Sequence, residues 1–126
     1  MNPAQATQQA ARATAFSMPL EAIDPANPQF FVDDTVGHYF ERLRRDDPVH
    51  HAHNPVAGDY WSVTKYRDIM QVDTHPGIYS SDWSNGGITM MDFPPGEQQL
   101  QMFIAMDPPK HDEQRKAVGP IVAPAN

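Results

Sequence analysis

Cysteine is absent from the 126 residues, and that removes several functions at once. A disulfide scaffold, a zinc finger, an iron–sulfur cluster and a cysteine nucleophile all need the thiol. Basic charge is scarce as well: nine Lys and Arg stand against 16 Asp and Glu, a formal charge of −7. No basic stripe is left to displace counterions from a phosphate backbone, which argues against a nucleic-acid partner. Long apolar runs are missing, none approaching the roughly 20 residues of a membrane span. The opening MNPAQATQQAARATAF is polar, with Arg12 its single basic side chain and no apolar core, unlike a secretory signal. Cytoplasm is the expected compartment. Large apolar side chains are few too. Leu, Ile, Val and Phe make up 23 of 126 residues, a share at which chains struggle to fold alone.

What apolar residues there are fall into patterns, so real secondary structure around a thin core is expected, in at most one domain. Residues 1–20 read as a flexible N-terminal arm, polar and with no face to bury. Asp24-Pro25-Ala26-Asn27-Pro28 is a turn cluster. A helix follows, capped by Asp33 or Asp34, with Val36, Tyr39, Phe40 and Leu43 on one stripe at i, i+3, i+4, i+7. Glu41 and Arg45, four apart, would pair on its exposed side, and Asp47-Pro48 closes it. Residues 49–53 and 60–64 read as a hairpin around a long loop. Thr64 would cap a helix over 65–73 with Tyr66, Ile69 and Met70 on one face, and 78–80 would form a short edge strand.

From 81 to 106 no period holds. Ile88, Met90, Met91, Phe93, Leu100, Met102, Phe103 and Ile104 are scattered among Gly86-Gly87 and Pro94-Pro95-Gly96. A structureless loop of that length is uncommon and usually functional, and its apolar content requires a cover, protein or ligand. The last helix, 107–126, starts with Asp107 as N-cap and Pro108 in the first turn, and Gly119-Pro120 would kink or stop it. His111, Arg115, Val118 and Val122 lie at i, i+4, i+7, i+11. Helices point their aliphatics inward, so the two basic groups would be carried toward the interior or its margin, where a guanidinium wants an anion. Pattern alone favours the plainer arrangement, a surface helix whose Arg115 reaches water along its stem.

The string Asp107-Pro108-Pro109-Lys110-His111-Asp112-Glu113-Gln114-Arg115 resembles the D-P-P-x-H-x-x-x-R junction of bacterial cytochrome P450 enzymes. Residues 40–49, 60–69 and Tyr79-Ser80-Ser81 are similar, in the same order, to the family's first helix, hairpin, second helix and loop entrance. The resemblance covers residues from about 20 to the end. It implies a mainly α fold with a small β-hairpin (α+β), the N-terminal portion of the cytochrome P450 fold and incomplete. It implies haem as cofactor, with His111 and Arg115 binding a propionate. It also implies a substrate pocket lined by the 81–106 loop, and ferredoxin and ferredoxin reductase as electron donors, toward which Lys110 or Lys116 would offer a steering charge. The wording is most like the soluble alkane and fatty-acid hydroxylases. The family's iron-ligating cysteine, its oxygen-activating helix and its Glu-x-x-Arg helix find no match here. The chain is therefore expected to be the N-terminal part of a longer monooxygenase and inactive alone. A small non-catalytic binding protein for an apolar ligand is the alternative.

His50, His51 and His53 place two imidazoles on one strand face, yet a metal site wants a third ligand, and His75 and Asp59 are candidates only in principle. Solvated strand residues is the favoured reading. Neither a Ser/His/Asp spacing nor a phosphate-loop context is present.

Overall fold

The computed structural model describes residues 3–90 and 102–123. It is mainly helical with one two-stranded antiparallel hairpin, and it divides into two compact units, Met1–Ile69 and Met70–Asn126.

In the first unit the expected arm is a helix, α1 (Pro3–Ser17). Ala and Gln are good helix formers, and the segment docks through Gln8, Arg12, Ala15 and Phe16 without a stripe of large apolar residues. Ala15 is fully buried in a core with Ile23, Tyr39 and Leu43, and Phe16 packs against them. The Phe16 ring lies 4.4 Å from the Arg12 guanidinium and 4.6 Å from that of Arg45. Arg42 donates to the Phe16 carbonyl at 2.6 Å. A short α2 (Pro28–Val32) begins with Pro in its first turn, the Asn27 side chain accepting from Gln29 N at 3.0 Å.

The next helix, α3 (Val36–Asp46), buries Tyr39 and Leu43 of the expected stripe, and Phe30 stacks on Tyr39 with ring centroids 3.8 Å apart. Its N-cap is Thr35, not Asp33 or Asp34. Asp33 instead ends α2, and Asp34 turns through a left-handed φ of 53°. Glu41 does not pair with Arg45. It takes both bonds of the Arg12 guanidinium, at 3.1 and 2.6 Å, while Arg45 turns to Asp46. A helix that the local pattern did not anticipate supplied the better-placed partner.

Strands β1 (Val49–Asn54) and β2 (Gly58–Val63) pair from Val49 opposite Val63 to Asn54 opposite Gly58. The connection is tighter than expected. Asn54 Oδ1 accepts from Val56 N and Ala57 N, and Gly58 supplies the positive φ of 68° that closes the turn. The register sends His51 and His53 to solvent, where His53 Nδ1 lies 3.0 Å from Asp59. His50 is buried on the opposite face, its Nδ1 2.8 Å from Asp47 Oδ2 and its Nε2 2.9 Å from the Ile23 carbonyl. Among the described residues no group of three His, Cys, Asp or Glu is arranged to hold a metal ion. Beside the hairpin, Asp24 gathers Tyr60 Oη at 2.5 Å, Ala26 N at 3.0 Å and Asn54 Nδ2 at 2.7 Å. Partial burial first, and then the bond to Asp24, push the Tyr60 phenol up to about 12.

Helix α4 (Tyr66–Asp73) follows, but Thr64 does not cap it through its side chain: its hydroxyl donates to the Pro48 carbonyl at 3.0 Å. Tyr66, Ile69 and Met70, expected on one face, are all exposed. No helix among the described residues is long and apolar enough to cross a membrane.

Candidate functional site

The second unit carries the residues that the motif singles out. After α4 the His75 carbonyl takes the amides of Ile78 and Tyr79 at 2.9 and 3.0 Å, so residues 78–80 form a turn and not the expected edge strand. A 3₁₀ turn follows at Trp83–Asn85, capped by Asp82, whose carboxylate accepts from both the amide and the hydroxyl of Ser84. Those bonds, the hydroxyl's foremost, hold the Asp82 carboxyl below its usual range, and the Lys110 charge adds to them. A second 3₁₀ turn, Phe103–Ala105, precedes the buried Met106.

Helix α5 is shorter than expected, Lys110–Val118. Its N-cap is Pro109, and Asp107 contributes its carbonyl to His111 N at 3.2 Å, not its side chain. Asp112 and Glu113 in the first turn, and Arg115 and Lys116 in the last, complement the helix dipole. Gly119-Pro120 ends it, because Pro cannot continue the ladder. The His111, Arg115, Val118, Val122 stripe does not face a packed interior. Val122 is 72 % exposed and no residue of α5 is buried.

The first two members of the stripe instead border a cavity of about 460 Å³, and Val118 and Val122 do not line it. His111 and Arg115 line it together with Phe103, Ile104, Met106, Ser81, Asp107 and Pro108, and Asp73 and Asp112 add acidic groups. The His111 ring is tilted against Phe103, centroids 6.1 Å apart, and its Nδ1 lies 2.8 Å from Asp112 Oδ1. A carboxylate only accepts, so Nδ1 carries the proton and Nε2 is left toward other partners. Among the described residues no carboxylate pairs with Arg115 within salt-bridge distance. The cavity therefore offers a guanidinium and an imidazole beside apolar side chains, together with three carboxylates, of which Asp107 is taken up by Ser80 and Ser81 and Asp112 by His111.

Of the expected pocket residues, Phe103 and Ile104 line this cavity. Ile88, Met90 and Met102 are exposed and do not line it, while Met91, Phe93 and Leu100 lie outside the described residues. Ser81 and Met106, the two ends of the 81–106 loop, also belong to the lining, as does Asp107, which was not anticipated there. No local pattern marks Ser81 or Met106. Asp107 carried a signal, its place in the motif, that also fitted a helix cap.

No family model matches the chain. Curated relatives do. The linalool 8-monooxygenase of Pseudomonas putida is 31 % identical over 113 residues, covering 84 % of this chain and 28 % of that protein. The methyl-branched lipid omega-hydroxylase of Mycobacterium bovis is 30 % identical over 116 residues, covering 85 % and 26 %. Among solved structures, cytochrome P450-153 from Novosphingobium aromaticivorans superposes with a TM-score of 0.75 at 37 % identity, covering 81 % of this chain and 28 % of that one. The chain thus spans little more than a quarter of the length of these relatives. Agreement in both sequence and fold with such proteins has one reading: the chain belongs to the cytochrome P450 family and carries the N-terminal part of its fold.

Proposed function

We propose that this chain is the haem-edge and substrate-facing part of a monooxygenase inserting one oxygen atom of O₂ into a terminal C–H bond of an alkane or fatty acid. The carrying observation is that Arg115, without a carboxylate partner among the described residues, shares a cavity with His111 and the apolar Phe103, Ile104 and Met106. The donor set fits a haem propionate: the Arg115 fork matches a carboxylate, and His111, held at Nδ1 by Asp112, offers Nε2 as a second donor in its imidazolium form. Haem, when bound, supplies the activation of dioxygen. These residues orient its edge, and Phe103, Ile104 and Met106 exclude water from an aliphatic chain, Met adapting its shape to it. Ile88, Met90 and Met102, exposed as they stand, would be covered by that substrate, and Met91, Phe93 and Leu100, which fall between Met90 and Met102 in sequence, complete the proposed substrate-facing set. The 126 residues hold no cysteine to ligate the iron, so by themselves they bind haem weakly and do not turn over. Ferredoxin and its reductase, in the cytoplasm, deliver the electrons.

The relatives' names support hydroxylation of a lipid-like substrate, one being a methyl-branched lipid omega-hydroxylase and another a linalool 8-monooxygenase. The test is haem titration of the complete gene product and its Arg115→Ala variant. Loss of a charge-assisted pair lowers haem affinity about tenfold; equal affinities would remove the assignment. A medium-chain fatty acid or alkane then shifts the haem spectrum, and no shift with either would rule out that substrate class.

A further inference from the structure

Asp107 is a cavity residue that neither the apolar side chains nor the cationic pair accounts for. Its carboxylate receives two donors from the far side of the loop, the Ser80 hydroxyl on Oδ2 and the Ser81 amide on Oδ1 at 2.9 Å, the latter 26 positions away in sequence. The Ser80 oxygen is itself saturated. It accepts from Asp82 N at 3.1 Å and Asn85 Nδ2 at 3.0 Å, which uses both lone pairs and leaves its one hydrogen for Asp107. Position 107 must therefore accept at both terminal atoms. A carboxylate does so, whereas an amide would turn an NH₂ group against one of the two donors.

The backbone of the same residue carries α5, since the Asp107 carbonyl takes the His111 amide. One residue thus joins the start of the loop, through its side chain, to the helix bearing His111 and Arg115, through its main chain. Bringing ends so far apart in sequence together costs closure entropy, which two charge-assisted bonds help to offset. We propose that Asp107 is the positioning residue of this site: its carboxylate ties Ser80 and Ser81 to the first turn of α5 and so sets the spacing between the Ser81 side of the cavity and His111 and Arg115. What the cavity binds rests on the function proposed above; the tie itself does not.

The experiment uses the complete gene product with Asp107→Asn, Ser80→Ala, the double variant and Ser80→Thr, which keeps the hydroxyl. Amide hydrogen exchange is followed across 80–87 and 102–113, and haem affinity is titrated in parallel. Asp107→Asn should speed exchange in both segments about tenfold, the worth of a bond to a charged group, and weaken haem binding to a similar degree. Ser80→Ala should act in both segments too, the double variant should be no worse than Asp107→Asn, and Ser80→Thr should match the wild type. Additive effects of the two single variants, or faster exchange in only one segment, would overturn the proposal. If the wild-type protein takes up no haem, the proposed function fails while the exchange data still decide the role of Asp107.

Discussion

Replacing Tyr60 by Phe deletes one oxygen from the network that holds the turn at 24–27 to the hairpin. That oxygen donates to Asp24 at 2.5 Å and accepts from Ala26 N at 2.9 Å. Asp24 keeps its bonds from Ala26 N and Asn54 Nδ2, so no charge is stranded. A bond to a charged group contributes about 1.5–3 kcal/mol, and the partly exposed site with its surviving donors puts the loss at the lower end, about 1.5 kcal/mol. The pH dependence has a definite sign. An acid whose folded value is raised favours the protonated form in the fold, so its contribution is complete below the ordinary tyrosine value of 10.0 and disappears as pH climbs toward about 12. Urea unfolding followed by tryptophan fluorescence, at steps from pH 8 to 12, should show wild type above Tyr60→Phe at the low end and the two converging across that window. A gap that stays constant from pH 8 to 12 would refute the coupling of the phenol to Asp24.

Two other perturbations probe the same unit. Leu43→Ala empties a fully buried site in the core beneath α1 and should cost about 3 kcal/mol in a denaturant melt, a loss under 1 kcal/mol meaning that the core collapses around it. Glu41 is held below its usual range, foremost by the bond from Arg12, so its contribution is present above the ordinary value of 4.5 and is lost as pH falls below it. Glu41→Gln should therefore flatten the acid limb of the stability profile, and the difference from wild type should shrink in about 1 M salt; an unchanged acid limb would contradict the pairing.

Elements written in a local period were legible: the Tyr39 and Leu43 face of α3, the His51 and His53 face of β1, and the helical spacing of His111 and Arg115. Side chains with a choice of partner were not. Thr64 and Asp107 both had the chemistry of a helix cap, and each spent its side chain on a group far away in sequence, the Pro48 carbonyl for one and Ser80 with Ser81 for the other. Helix α1 was missed for a related reason. It is held by one buried Ala, by Phe16 against the Arg42 and Arg45 guanidiniums, and by polar bonds from Gln8 and Arg12, with no stripe of large apolar residues to announce it. At the site the motif placed His111 and Arg115 on one helix, but their meeting with Ser81, Phe103 and Met106 required the chain to return on itself.

By itself the sequence determined the periodic faces, the turns that bound them and the spacing of the cationic pair, because those follow from backbone geometry within a few residues. The tertiary structure alone decided which acceptor each polar side chain took and what the pair would face. Those outcomes depend on the free energy of closing long spans of chain, set against burial and bonds between residues that no local pattern connects.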